Sequence, residues 1–553
     1  MRHSFALRNQ GAFFSAMSTS LTDRILKAGI FVAIAHVFLK FMGLLLTKVA
    51  THYLEPDVYE CVMVVAFTGI IQSLFYVGQE LLTPTFLSVF TKEKEERGEE
   101  SAWRFANVTL SLQFLVLLAM AAVIAYFPDY FIRAFTTWTP ERNPEYYGLL
   151  RKSLRILAPG LLFLSLGSTT YVLLNGYKRF FIAAFGDSAT KICILLGIVV
   201  CIGGLGIGHQ ALSLIILLGC VAKLVTHLIG LGGKCAFFRI SLNWRNPAFL
   251  SLLLLMLPLL LGVLFAKVRD NFNNIYILTR IETRGILMAN DLGRKLFATI
   301  QWLVPYSLQI ALFPFMCELA GRDDREKLGE VLSNSCRMLL SFFLPCAILL
   351  SIIALPLSVI IFHSGKTSLE IARWAGLSTA CYCLVLPATA IESVLQQGLF
   401  AKQKTYASTV IGISTSFISI ATSYYFIIVR SAGVETAIMA VALGFVASKM
   451  VKSIVLAIYI GRHVPLNLLR NTGSFFAKLL GVTVATGIAA IGVSMGIVRL
   501  FPDYGMESGK LHILLHMGCV CLAGMVAYVA SVWLLRFREP GIMLSWLRAK
   551  IRR

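Results

Sequence analysis

The sequence predicts an all-α, polytopic membrane protein. Hydrophobic residues make up 57% of the chain and charged residues only 14%. The mean hydropathy is +0.77, far from the balance of a soluble domain. The apolar residues fall into long runs, and about 20 mostly apolar residues are enough to cross a bilayer as a helix. We therefore predict about 14 transmembrane helices joined by short connections.

The predicted spans follow a polar, basic segment at 1–27. We interpret this segment as a cytoplasmic leader, because no small-residue cleavage site follows its short apolar patches. The spans are placed at 28–50, 58–80, 105–127, 154–176, 181–206, 210–232, 248–275, 286–318, 335–362, 371–398, 405–429, 435–460, 475–500 and 511–536.

Lys and Arg are distributed unevenly between the connections. Cytoplasmic loops of membrane proteins carry the excess of these residues, so both termini are predicted to face the cytoplasm. The net charge of +22 is then explained by anionic phospholipid headgroups, and not by nucleic acid. The connections poor in Lys and Arg lie around 51–57, 207–209, 363–369, 430–434 and 501–510.

An internal repeat predicts two lobes. The fourth span ends with Val172-Leu173-Leu174-Asn175-Gly176, and the tenth ends with Val394-Leu395-Gln396-Gln397-Gly398. Each is a predicted helix exit with a glycine stop and cations after it. Because the copies lie six spans apart, they indicate two parallel six-helix lobes plus a last helix pair. The predicted organisation is a leader at 1–27, an N-lobe at 28–232, a cytoplasmic linker at 233–247, a C-lobe at 248–460, a C-terminal helix pair at 475–536 and a basic cytoplasmic tail at 537–553.

The seventh predicted span carries charge where a membrane helix should still be running. Lys267, Asp270, Asn271 and Asn274 are spaced i, i+3, i+4 and i+7, so they share one helix face. Charge at membrane depth costs roughly 2.5–3.5 kcal/mol per residue and is tolerated mainly in a bundle interior or a wet cavity. The stripe predicts a polar cavity inside the bundle. The alternative is that 258–266 is a short helix and the charges mark its wet end.

Other motifs give no sign of catalysis or metal binding. Most of the twelve cysteines lie inside apolar runs, so we interpret them as packing residues. The pairs Cys381/Cys383 and Cys519/Cys521 lack a second set at zinc spacing. Gly365-Lys366-Thr367 is similar to the end of a phosphate-binding loop, but position 360 is Ile. We predict no metal, no cofactor and no enzymatic activity.

Several short motifs together resemble the MurJ/MviN family of lipid II flippases. They are Ile156-Leu157-Ala158-Pro159-Gly160-Leu161-Leu162, Phe400-Ala401-Lys402-Gln403 and Leu312-Phe313-Pro314. The resemblance implies membership of the multidrug/oligosaccharidyl-lipid/polysaccharide exporter superfamily, whose members have two six-helix lobes, to which the flippases add two helices. It also implies a place in the bacterial cytoplasmic (inner) membrane and a role in peptidoglycan synthesis and cell shape.

The resemblance assigns substrate-binding candidates one at a time. Lys40, three residues before a glycine, matches a basic residue of the family's first helix, and Lys48 is nearest to the second basic position there. Lys295 falls on or near the basic residue that opens the eighth helix. From the residues alone, Arg269 and Arg284 add cations that would face the first-helix lysines across a cleft. Lys and Arg are the usual partners of a pyrophosphate. The alternative for each is a snorkelling or ion-paired structural residue.

Coupling or gating candidates also follow from the resemblance. Glu60 corresponds to an acidic residue near the start of the second helix, and Asn274 falls near a sodium-linked carboxylate of the seventh, with Asp270 one turn earlier as a substitute. The family's second-helix arginines fall near Gln72 and Ser73, so that part of the cationic site is missing.

The predicted function is translocation of a lipid-linked oligosaccharide, lipid II, by alternating access of the two lobes. Expected partners are a polyprenyl-pyrophosphate-linked saccharide, membrane phospholipids and cell-wall synthesis proteins, with no nucleic acid. The alternatives are a polysaccharide-unit flippase, a cation-coupled drug exporter of the same superfamily, a membrane glycosyltransferase or ligase, and a non-transporting scaffold.

Overall fold

The structure is a computed structural model that describes residues 38–208, 210–302, 316–402, 404–466, 472–500, 509–537 and 539–540. Within these residues the regular structure is helical, and no strand is present, in agreement with the predicted all-α class. The predicted leader at 1–27, the motif at 312–314, Gln403 and the tail from 541 lie outside the described residues.

The helices are long and joined by short loops. The helix Pro247–Asn271 is continued by a π-helical turn at Phe272–Tyr276 and a 3₁₀ turn at Leu278–Arg280. The helices run over 38–53 (α1), Pro56–Arg97 (α2), Glu99–Tyr126 (α3), Pro128–Phe135 (α4), Pro144–Gly176 (α5), Phe180–Gly204 (α6), Ala211–Phe237 (α7), Pro247–Asn271 (α8), Ile286–Trp302 (α9), Arg325–Phe362 (α10), Leu369–Cys383 (α11), Leu386–Ala401 (α12), Thr405–Tyr424 (α13), Val434–Gly461 (α14), Thr472–Leu500 (α15) and Lys510–Leu534 (α16).

Membrane-spanning helices account for most of the described chain. Ten described helices are long and apolar enough to cross a membrane, and the total is twelve if each of two bent helix pairs is one span. These twelve correspond to twelve of the predicted spans. The other two, 28–50 and 286–318, extend beyond the described residues, so the count of fourteen stays a prediction.

By packing, the chain divides into two compact units. Unit 1 comprises the described parts of Met1–Val49, Ile71–Pro128 and Lys152–Leu260, and unit 2 those of Ala50–Ile70, Asp129–Arg151 and Leu261–Arg553. Packing and internal repetition are different criteria, so the lobe boundaries derived from the repeat stay a prediction.

Unit 1 has a core rich in aromatic side chains. Phe86 and Phe90 of α2 are fully buried and pack with Phe105 of α3, whose ring centroid lies 5.0 Å from that of Phe86. Leu173 and Leu174 near the end of α5 complete the cluster. Apolar helices in a membrane associate through close van der Waals packing, so this cluster holds α2, α3 and α5 together.

Unit 2 is built around the long helix α10. Leu332 and Cys336 of α10 join the core formed with α12 and α14. Further along the same helix, Leu349 packs against Ala490 of α15 and Val520 of α16. The C-terminal helix pair is therefore attached to unit 2 through α10.

The two predicted glycine stops differ in the structure. Gly176 is the last residue of α5, as predicted. At Gly398 the prediction is wrong, because α12 continues to Ala401. A Cβ at Gly398 would lie 2.8 Å from Ile460 and 2.9 Å from Leu332, so this glycine serves close helix packing and not chain reversal.

Candidate functional site

The polar stripe of α8 faces the protein. Leu261, Leu264 and Val268 are 71%, 46% and 57% exposed, whereas Asp270 is half-buried and Asn274 is buried. The helical run also continues past the stripe to Arg280. The stripe therefore lies within a helical segment, and the alternative of a short helix with a wet charged end does not describe it.

A π-helical turn sits where the stripe meets the rest of unit 2. The Ile277 amide donates to the Phe272 carbonyl over 2.9 Å, an i to i+5 bond. Such widened turns leave side chains out of α-helical register and often occur at functional sites. Here the turn carries Asn273, which donates to Ser419 Oγ over 3.0 Å, and Asn274, which donates to the Asp270 carbonyl over 2.7 Å.

Asn274 is the centre of an uncharged hydrogen-bond network. Its Oδ1 accepts from Asn290 Nδ2 and from the Tyr382 hydroxyl, both at 3.2 Å. Asn290 Oδ1 in turn accepts from Ser378 Oγ at 3.4 Å. Satisfied buried networks of this kind fix the geometry of a core. We conclude that Asn274 joins α8, α9 and α11, with both the oxygen and the nitrogen of its amide hydrogen-bonded.

Lys295 lies in a triangle with Asp291 and Tyr59. Its Nζ is 2.7 Å from Asp291 Oδ2 and donates to the Tyr59 hydroxyl over 3.1 Å. The same hydroxyl donates to Asp291 Oδ2 over 2.9 Å. Tyr59 is fully buried, Asp291 is 10% exposed and Lys295 is 33% exposed. The Lys295 side chain is thus held by two partners, while about one third of its surface is exposed.

Arg269 is held in a similar way at the end of α8. Its Nη2 and Nε lie 2.6 and 3.0 Å from Asp270 Oδ1, and its Nη1 donates to Ser416 Oγ over 2.8 Å. The side chain of Arg269 is 14% exposed. Both predicted unit 2 cations within helices therefore have a carboxylate partner close in sequence, which lowers the cost of placing them in an apolar bundle.

Glu60 and Arg284 have structural contacts at the start of α9. Glu60 Oε1 accepts from the backbone amides of Leu287 and Met288 at 2.8 and 3.2 Å, so this buried carboxylate satisfies free N–H groups in the first turn of α9. Arg284 lies 2.7 Å from Asp57 and is 57% exposed. The Asp57 carboxylate holds the pKa of the Arg284 guanidinium above its ordinary value. Arg284 therefore matches the ion-paired alternative stated for it.

The first-helix candidates lie in the other unit. Lys40 and Lys48 are half-buried on α1 in unit 1. Lys191 of α6 donates to the Leu39 carbonyl over 3.0 Å and lies beside Gly43, so α1 is tied to α6 close to Lys40. The predicted cleft between these lysines and the unit 2 cations stays a prediction.

A comparison of the sequence with family models decides the family. The model described as "Lipid II flippase MurJ" matches residues 32–502. The chain belongs to the MurJ family. The relative from Borreliella burgdorferi, named "Probable lipid II flippase MurJ", is 23% identical over 416 residues, which cover 72% of this chain and 76% of the relative.

Solved structures share the fold of this MurJ family member. The structure titled "Lipid II flippase MurJ, inward closed conformation" matches with a TM-score of 0.71 at 16% identity, covering 93% of this chain and 100% of that chain. An inward-facing multidrug resistance MATE family transporter of the MOP superfamily matches with a TM-score of 0.65 at 16% identity, over 81% of this chain and 99% of the other. The protein is thus a multi-pass membrane protein of a transporter family.

Sequence reasoning missed the partners that define the site. The carboxylate that pairs with Lys295 comes from Asp291, one turn before it, and the sequence analysis did not single out Asp291. The i, i+4 spacing of the two residues was a usable signal. Tyr59 and Tyr382 contact Asp291 and Asn274, which are distant from them in sequence. Nothing in the sequence around either tyrosine indicates these contacts.

Proposed function

We propose that this protein translocates the peptidoglycan precursor lipid II across the bacterial cytoplasmic membrane by alternating access, with both termini in the cytoplasm. The match to the MurJ family model over residues 32–502 carries the proposal. The cationic side chains held inside unit 2 support it, because a pyrophosphate-linked lipid head needs positive partners at membrane depth.

The binding step is an exchange of anionic partners. Lys295 and Arg269 are each neutralised by an aspartate in the structure. A pyrophosphate presents several charged acceptor oxygens, so it replaces the aspartates as acceptor while the cations stay anchored by Tyr59 and Ser416. Pairing in the substrate-free state avoids leaving isolated charges in an apolar bundle, which costs several kcal/mol for each ion.

The membrane potential supplies a driving force. Moving one negative charge out of a negative interior is favourable by about 2.3 kcal/mol per 100 mV, which corresponds to a bias of about 50-fold. Asp291 and Asp270 compete with the substrate for these cations. They are our candidates for coupling, whereas Glu60 and Asn274 join neighbouring helices.

The proposal is tested by reconstituting the full chain in vesicles with fluorescent lipid II and measuring its appearance in the opposite leaflet. Wild-type protein is expected to move the lipid faster than empty vesicles. Lys295→Gln and Lys40→Ala are each expected to slow transport at least tenfold. Lys402→Gln is the matched control, because Lys402 pairs with Asp323 in a loop outside the spans.

Two results would count against the proposal. Wild-type protein that moves lipid II no faster than empty vesicles would remove the substrate assignment. Faster transport of a polysaccharide-linked lipid or of a cationic drug than of lipid II would transfer the protein to one of the alternative transporter classes.

A further inference from the structure

A second group of buried charges lies in unit 2, on α12 and α14. Glu392 is 8% exposed and accepts from two lysines: Lys452 at 2.6 Å on Oε1, and Lys449 at 3.1 Å on Oε1 and 2.9 Å on Oε2. Gln396 also donates to Oε1 over 3.2 Å. The carboxylate is therefore saturated with donors, while two ammonium groups share its single negative charge.

Arg269 extends this group on the neighbouring helix. The guanidinium carbon of Arg269 and the Nζ of Lys449 lie 5.9 and 5.8 Å from the centroid of the Phe445 ring. We name Arg269, Lys449 and Lys452 the basic patch. Among the described residues, the carboxylates that contact it are Asp270 and Glu392. Within this described cluster three cations therefore face two anions, which leaves one positive charge in excess.

The patch is partly open. The side chains of Arg269, Lys449 and Lys452 are 14%, 21% and 13% exposed. Gly412 of α13 lies against Lys452, where a Cβ would come within 3.3 Å of Nζ, so the missing side chain leaves the ammonium room. Since an uncompensated charge in an apolar bundle is costly, an anion that reaches these groups gains more than it would at the protein surface.

The patch lies in the interior of α14 and not at either of its ends. Lys449 and Lys452 follow the helix start at Val434 by about 22 and 27 Å at 1.5 Å per residue, in a helix about 42 Å long. A resident phospholipid keeps its headgroup at the membrane surface, whereas the head of a transported lipid passes through this depth. The position therefore favours a lipid in transit.

We propose that the basic patch binds a phosphate-type anion, with Glu392 as the internal competitor that occupies the lysines when no ligand is present. This inference rests on the proposed function and deepens it: the patch takes the pyrophosphate of the transported lipid at a place distinct from Lys295. It extends the binding path into α12 and α14, which the family resemblance did not assign.

The test titrates inorganic pyrophosphate into the full chain in phosphatidylcholine nanodiscs and measures binding by isothermal calorimetry. The Lys449→Gln/Lys452→Gln variant is expected to bind at least tenfold more weakly than wild type. Glu392→Gln is expected to bind three- to tenfold more tightly, because the competing carboxylate is gone. Lys402→Gln is the control and is expected to bind as wild type does.

The lysine variant is expected to weaken pyrophosphate binding and Glu392→Gln to strengthen it, and this contrast distinguishes a ligand site from a structural ion cluster. If Glu392→Gln weakens binding or leaves it unchanged, or if Lys402→Gln weakens it as much as the lysine pair does, the proposal is overturned. Lys452→Arg keeps the charge and is expected to retain binding within about threefold, which guards against loss of folding as the explanation.

Two further arms identify the source of the phosphate. Lipid II added to the nanodiscs is expected to compete with pyrophosphate, whereas phosphatidylglycerol is not, and failure of lipid II to compete overturns the assignment to a transported head. The proposed function is judged separately by transport. Transport by wild type without any change of binding in the variants removes only the patch. Binding without transport removes the flippase proposal and the role of the patch in transport, and leaves the patch as a binding site for a phosphate-type anion.

Discussion

The two partners of the Lys223–Asp187 ion pair in unit 1 are unequally buried, and this predicts unequal effects on the free energy of unfolding when either charge is removed. Lys223 Nζ lies 2.7 Å from Asp187 Oδ1, and the lysine is 2% exposed while the aspartate is 36% exposed. The ammonium also lies 4.8 Å from the centre of the Phe75 ring, and the lysine stem packs on Gly167. Lys223 therefore depends on Asp187 for its charge partner, whereas Asp187 keeps access to other polar surroundings.

Removal of the two charges is expected to have unequal effects on the free energy of unfolding. Asp187→Asn leaves a buried ammonium without a carboxylate, which costs about 3–5 kcal/mol. Lys223→Met keeps the length of the stem and leaves a carboxylate with about one third of its side chain accessible, so the loss is expected to be smaller than for Asp187→Asn. The double variant removes the uncompensated charge and is expected to be more stable than Asp187→Asn alone.

The assay is equilibrium unfolding in detergent of wild type, the two single variants and the double variant, followed by tryptophan fluorescence. The predicted order of stability is wild type, then Lys223→Met and the double variant close together, then Asp187→Asn. A double variant less stable than Asp187→Asn, or a Lys223→Met variant that is the least stable of all, would refute the argument from unequal burial.

Three further predictions concern unit 2. Tyr59→Phe removes the hydroxyl that donates to Asp291 and accepts from Lys295, so lipid transport in vesicles is expected to fall about tenfold, with unchanged transport as the contrary result. Lys402 and Arg325 hold the pKa of Asp323 at about 2 instead of its ordinary 3.8. This ion pair therefore stabilises the folded protein fully above about pH 4, and its contribution is lost as the pH falls through about 2. The difference in melting temperature between wild type and Asp323→Asn is therefore expected to shrink below pH 4, and a constant difference would exclude the ion pair as its cause. Gly398→Ala is expected to cost about 1–3 kcal/mol by overpacking, measured by unfolding in detergent, and a stabilised variant would contradict the close packing seen there.

The sequence was sufficient to predict the twelve spans that correspond to candidate membrane helices of the described residues, and the direction in which one polar face points. Length and hydropathy determine a membrane helix almost alone, since the bilayer requires about 20 apolar residues with their backbone bonds satisfied internally. The stripe through Asp270 and Asn274 could be predicted because helical period and the cost of lipid-exposed charge leave it one direction to face. In the structure, the exposed face of α8 carries apolar residues such as Leu261 and Val268.

The contacts of the site were harder to predict. Tyr59 meets Asp291 across 232 positions of the chain, and Tyr382 meets Asn274 across 108, so no local spacing carries either contact. The prediction for Gly398 was wrong for a related reason. A glycine before cations is typical of a helix stop, but a glycine is also needed inside a helix where other side chains come very close, as Leu332 and Ile460 do here. Local sequence patterns predict the helices. Whether a glycine ends a helix or allows close packing depends on how the helices pack.

The pairing of each predicted cation changes what the positive charges of the sequence mean. Counted singly, Arg269 and Lys295 suggest a strongly positive hollow, but each has an aspartate within 2.7 Å, so the field they produce without substrate is small. Affinity for an anion then depends on how easily it displaces those aspartates, and release depends on their return. A site with free cations would hold a pyrophosphate too tightly to release it, whereas paired cations let binding and release proceed with similar free energies. Turnover in an alternating-access carrier requires that binding and release have similar free energies. In the proposed basic patch, the excess positive charge near Glu392 favours binding.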